Sequence, residues 1–138
     1  MLDFRFPDKY YLSQLEKGFQ PRSSRRWAVD VKKLYNNKCF ITQTPSTDCK
    51  LVAHHLYSKK DNRDLEFSLF NGIALRDDLH KLFHKNYGLK TKPDHLIDFI
   101  AFFKFNSLLL SNKERIELCT WISFLDSKMI ENKQKIKN

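Results

Sequence analysis

Apolar residues recur along this chain at two spacings, and each change of spacing marks an element. Residues 1–23, broken by Pro7, Gly18 and Pro21, predict an irregular arm with a short helix near 9–17. Ser23 or Ser24 can cap a helix running to about Asn36, with Trp27, Val31, Leu34 and Tyr35 on one face. Cys39-Phe40-Ile41 begins a short strand or hairpin arm, followed by a turn-rich loop from Gln43 to Asp48 around Pro45. Lys50 to His55 reads as a strand, Ser58 to Asp64 as a charged loop, and Gly72 to Leu75 as a second short strand. Asp77 or Asp78 opens a helix through about Asn86, which Gly88 stops.

The C-terminal third is more apolar. Pro93 stands where a helix can start, and Leu96 to Phe105 is a strongly apolar stretch. A last helix is expected from about Ser111, with Ile116, Cys119 or Trp121, Ile122, Leu125 and Met129 as its stripe. The basic tail Lys133 to Asn138 is expected to fray. No internal repeat and no long linker divides the 138 residues, so one domain is expected.

Composition narrows the partners. The net charge of +9 favours a polyanion, either nucleic acid or an anionic membrane. No apolar run reaches the roughly 18 residues of a membrane helix. The start Met1-Leu2-Asp3-Phe4-Arg5 lacks a signal-peptide core, so nucleic acid is the expected partner and an intracellular, non-secreted setting the expected location. The odd count of three cysteines, with no CxxC pair, points the same way and predicts buried free thiols at Cys39, Cys49 and Cys119. Phe, Tyr, Met, Ile, Asn and Lys outnumber Gly, Ala, Arg and Pro, the balance an AT-rich genome imposes: an organelle, a phage or a low-GC bacterium.

The chemistry gathers in one stretch. Four of the five histidines fall between His54 and His84, interrupted by Asn71-Gly72-Ile73. Phosphodiester hydrolysis needs a cation against developing charge and a base for the attacking water. Histidine suits both tasks, because its neutral ring binds metal and its pKa lies near working pH. His80 and His84, at i and i+4, share one face of a helix. His54 and His55, adjacent on a strand, point to opposite faces, so one can be a ligand and the other a base. Strand geometry alone leaves open which is which.

Lys50-Leu51-Val52-Ala53-His54-His55-Leu56-Tyr57, followed by the run from Asn71-Gly72-Ile73-Ala74-Leu75 to His80-Lys81-Leu82-Phe83-His84, resembles the HNH endonuclease family. Trp27 to Val31 and Cys39 to Thr42 resemble the stretch upstream of that motif, so the likeness spans about residues 27–88. The resemblance implies an α+β fold. Its core would be a ββα-metal (His-Me) finger at about 39–88, flanked by a basic N-terminal arm and helix (1–38) and a C-terminal helical extension (89–138). It also implies that His54, His80 and His84 bind one divalent metal ion, that His55 is the general base, and that Asn71 braces the loop between the strands and so fixes the base. An all-imidazole set favours Zn, Ni or Mn, and abundance favours Mg; no small-molecule cofactor is expected.

Around that motif, Arg22, Arg25 and Arg26, then Lys59, Lys60 and Arg63, then Arg76, Lys81 and Lys85 are the candidate DNA contacts. His95 lies outside the motif and reads as a helix-start surface residue. Asp77 and Asp78 read as helix N-terminal acids. The expected activity is that of a metal-dependent DNA endonuclease, with homing or another mobile element among its settings, acting as monomer or homodimer. An inactive nucleic-acid-binding module with a structural metal, and an RNA-directed nuclease, are the alternative readings.

Overall fold

A computed structural model describes Pro7 and residues 20–137; the helix expected near 9–17 lies outside the described residues. Helix α1 (Ser24–Leu34) starts where Ser23, in extended conformation, accepts the Arg26 N–H on its side chain. Trp27, Val31 and Leu34 are its buried face. It ends at Leu34, short of the expected Asn36, because Asn36 and Asn37 both take left-handed backbone (φ 57° and 55°), which asparagine tolerates.

The expected strand at Cys39-Phe40-Ile41 is not formed. Only an isolated bridge joins Lys38 to Pro45, and the chain between them is a tight turn closed by the Gln43 N–H on the Cys39 carbonyl. Gln43 at φ 63° and Pro45, which has no N–H to donate, prevent a ladder. All three side chains are nonetheless fully buried.

Strands β1 (Leu51–His55) and β2 (Gly72–Arg76) form an antiparallel ribbon in which His54 pairs with Ile73 and His55 with Gly72. Two short 3-10 turns, Arg63–Leu65 and Leu69–Asn71, occupy the connection. β2 is buried from Gly72 to Leu75 without alternation, because α1 packs on one side and the next helix on the other. Gly72 is required there: a Cβ would lie 2.5 Å from Val31 Cγ2 and 2.8 Å from Trp27 Cζ2.

Helix α2 (Asp77–Tyr87) follows β2 without a break. Asp77 and Asp78 sit in its positive first turn, and Gly88 (φ 75°) closes its C-terminus by donating to the His84 carbonyl. The fold is therefore α+β, with a ββα unit at its centre. Helix α3 (Pro93–Ala101) has Pro at its first position, where no N–H is needed. The apolar stretch from Leu96 to Phe105 does not continue as one segment. The chain turns instead into a small hairpin, β3 (Lys104–Phe105) with β4 (Leu108–Leu109), over Asn106 and Ser107, both at positive φ.

Helix α4 (Asn112–Lys137) opens on a reciprocal cap, with the Glu114 N–H on Ser111 Oγ and the Ser111 N–H on Glu114 Oε1. It extends through most of the tail expected to fray. Its core stripe is Leu118, Ile122, Leu125 and Met129; Ile116, expected in that stripe, is 66% exposed, and Leu118 two positions on takes the inward place. α4 packs on α3 and is tied to the end of α1 by Trp121 Nε1–H to Tyr35 Oη (3.0 Å) and to the finger by Tyr57 Oη–H to Asp126 Oδ1 (2.6 Å). The three cysteines are free thiols; Cys39 is buried as expected, whereas Cys49 and Cys119 are only half-buried. Among the described residues no helix is long and apolar enough to cross a membrane.

Candidate active site

Three imidazoles meet between β1 and α2. His54 points inward from β1 and is 1% exposed, with Phe83 against its ring. His80 and His84 project toward it from one face of α2. One ring nitrogen from each lies within 4.8 Å of the others, and the two Nε2 atoms of His80 and His84 are 3.0 Å apart. Nitrogens held about 2.0–2.1 Å from one ion lie about 3 to 3.5 Å apart, so this pair already has ligand-like spacing.

Two further observations fit a metal. Neither buried nitrogen of His54 has a hydrogen-bond partner among the described residues, and orphaned buried polar groups are rare. His84 Nδ1 lies 2.6 Å from the Gly88 carbonyl oxygen, which can only accept, so Nδ1 carries the proton and Nε2 presents its lone pair to the triad. Burial and the neighbouring imidazoles push His54 well below the usual histidine range, and burial chiefly lowers His80 to about 4. Both rings are thus neutral at physiological pH, the form that binds metal.

His55 stands at the end of β1 and turns away from the triad. Its Nε2 lies 2.9 Å from the Glu66 carbonyl oxygen, so Nε2 donates and Nδ1 is the lone-pair nitrogen of the neutral ring. Burial lowers its pKa, partly offset by that carbonyl. Its other partner is Trp27 of α1, stacked on it with centroids 3.8 Å apart and planes 7° from parallel.

Asn71 is fully buried behind His55. Its Oδ1 accepts the Tyr57 N–H, and its Nδ2 donates to the carbonyls of Tyr57 and Leu65. Leu65 precedes Glu66, whose carbonyl accepts from His55 Nε2. Thr91, buried on the far side of the site, donates weakly to the carbonyls of His55 and Leu56.

The triad and His55 share a pocket of about 490 Å³ with Ser24, Trp27, Ala28, Lys59, Lys60, Leu89 and Thr91. Of the candidate DNA contacts, the structure brings Lys59 and Lys60 into this lining, and Arg22 and Arg25 flank Ser24 as exposed residues. The others lie outside the lining. Arg26 pairs with Asp30, Arg63 with Glu66 and Lys81 with Asp77, while Lys85 is exposed. Arg76 is engaged by both carboxylate oxygens of Asp78 and lies over the Phe105 ring. His95 stacks on Tyr87, away from the triad's contacts.

The sequence pattern places Trp27 on an apolar helix face and in the family-like stretch upstream of the motif, but marks neither it nor Gly88, Leu89 and Thr91 as parts of the site. Trp27 carries no distinguishing signal within an apolar stripe, whereas a Gly just past the helix that bears His84 does mark a carbonyl within reach.

With this geometry, the family comparison falls on the same elements. Residues 39–87 match the HNH endonuclease family, a nuclease class, over a segment that contains His54, His55, Asn71, His80 and His84. No curated protein and no solved structure matches the chain.

Proposed function

We propose that this chain is a metal-dependent DNA endonuclease, a single HNH nuclease domain whose residues 89–138 form a helical extension. It hydrolyses phosphodiester bonds, nicking as a monomer or cutting both strands as a dimer. The observation that carries the reading is the placement of His55. It lies beside the metal-competent triad but outside it, with one nitrogen bonded to the Glu66 carbonyl and the other left with its lone pair. A site that only held a structural metal would need no such residue.

His54, His80 and His84 would hold one divalent ion, which when bound neutralises charge developing on the phosphate and leaving oxygen. His55 takes the proton of the attacking water at Nδ1. As its ring becomes cationic, the Nε2–H bond to the Glu66 carbonyl becomes charge-assisted and strengthens. Asn71 fixes the backbone on either side of that contact. Lys59 and Lys60 supply positive charge at the pocket wall for the substrate backbone.

The test is cleavage of supercoiled plasmid by wild type and His55→Ala, in EDTA and then in Mg²⁺, Mn²⁺, Ni²⁺ or Zn²⁺, beside a matched RNA. Metal-dependent DNA cleavage that falls at least about 100-fold in the variant supports the assignment. Cleavage of RNA alone would reassign the substrate. No cleavage by folded, DNA-binding wild type with any of the metals would favour a structural metal module.

A further inference from the structure

Helix α1 precedes the family-matched segment, yet it supplies a wall of the pocket. Its Trp27 makes two contacts that converge on one side chain. The indole face covers the His55 ring at 3.8 Å and 7°. The indole Nε1–H donates to the Ser68 carbonyl at 2.9 Å. Ser68 is two residues beyond Glu66, whose carbonyl accepts from His55. The Leu65 carbonyl accepts the Ser68 N–H, so one compact turn carries both contacts.

An in-plane hydrogen bond alone lets an imidazole swing about the bond axis. A flat surface against its face removes that swing. Trp27 supplies the surface, and by bonding Ser68 it also holds the turn that presents the in-plane acceptor. Trp27 is itself fixed: it is 2% exposed, and Gly72, the partner of His55 across the ribbon, leaves the space its ring occupies.

We infer that Trp27 is a positioning residue for the base: its ring and its Nε1–H together hold His55 in one orientation and one tautomer. This rests on the reading of His55 as the base, and it assigns a part of the machinery to a helix outside the ββα unit.

The experiment compares wild type, Trp27→Phe and Trp27→Met in two readouts. The first, independent of activity, is the His55 tautomer at neutral pH in metal-free protein, read from two-bond proton–nitrogen NMR correlations. The expected result is a single Nε2–H form in wild type and a mixture in Trp27→Met. The second is plasmid cleavage at saturating metal. Here Trp27→Met is expected to lose about tenfold to 100-fold in kcat with KM and metal affinity near wild type, because small misplacements of a reacting group have effects of that order. Trp27→Phe, which keeps a flat ring but loses the Ser68 bond, should lose only a few-fold. Equal losses in the two variants, or an unchanged tautomer in folded Trp27→Met, would overturn the inference. Should Trp27→Met not fold, Trp27→Phe decides alone: unchanged kcat overturns it and a few-fold loss at constant KM supports it. Absence of cleavage by wild type would overturn the nuclease reading instead, and the tautomer result would still judge the positioning role.

Discussion

The Asn71 side chain holds the Tyr57 backbone through two hydrogen bonds. The Asn71 Oδ1 accepts the Tyr57 N–H at 2.7 Å, and the Asn71 Nδ2 donates to the Tyr57 carbonyl at 3.0 Å. The same Nδ2 donates to the Leu65 carbonyl at 3.1 Å. One carboxamide therefore clamps the exit of β1 to the turn that carries the Glu66 carbonyl. A residue with both a donor and an acceptor is needed, and only Asn fits this reach.

Replacing that clamp should affect both stability and turnover. Asn71→Ala removes three hydrogen bonds of a buried side chain, from the Tyr57 N–H and to the Tyr57 and Leu65 carbonyls, and should destabilise the fold by about 2–4 kcal/mol. Asn71→Asp keeps the bond from the Tyr57 N–H but sets a carboxylate oxygen against two carbonyls, and should also slow cleavage. Urea unfolding and plasmid cleavage at saturating metal check both effects. Two variants as stable and as active as wild type would remove the bracing role.

The histidine cluster sets a pH dependence whose sign can be worked out. His54, His55 and His80 all have pKa values below the ordinary histidine range, His80 at about 4. In the unfolded chain they titrate near 6.5. Below that pH the unfolded state binds protons that the folded state does not, so acid favours unfolding. The melting temperature in EDTA should therefore be flat above about pH 7 and fall as the pH drops from about 6.5 toward 4. A bound divalent ion should raise it most at the neutral end, because protons compete for the same nitrogens. A melting temperature that rises on acidification would contradict the packing of the triad.

Salt dependence separates the lysines at the pocket from the charges elsewhere. Lys59 and Lys60 line the pocket, whereas Arg63 is paired with Glu66 and projects into solvent. The double change of Lys59 and Lys60 to Ala should reduce the slope of log affinity against log salt by about 0.9 for each phosphate no longer neutralised. Arg63→Ala should change it less. Fluorescence anisotropy with a short duplex over a salt series measures both. An unchanged slope in the double variant would place the DNA on another face.

Spacing makes the metal-competent triad legible, since i and i+4 histidines must share a helix face and a strand just upstream can deliver a third ring. It also places His54 and His55 on opposite sides, because a strand alternates. It does not reach contacts between residues far apart in sequence. Trp27 looks like any other member of the Trp27-Val31-Leu34 stripe, and only the ribbon register, with Gly72 opposite His55, brings its face to that ring. The turn at Cys39 to Ile41 misleads for the opposite reason: three apolar residues suggest a strand, but left-handed Gln43 and donor-less Pro45 bury them in a turn. Ile116 and Leu118 differ only in where the helix phase falls after its Ser111 cap, which composition does not set.

The indole that lies on His55 comes from upstream of the matched segment, and the hydroxyl of Thr91 comes from downstream of it. The ββα unit is therefore not a portable cassette. Cut out at residues 39 and 87, it would keep all three metal-competent imidazoles yet expose one face of His55 to water and free the end of the strand that carries it. An engineer who wished to move this chemistry to another scaffold would have to move α1 and the Gly88–Lys92 loop with it.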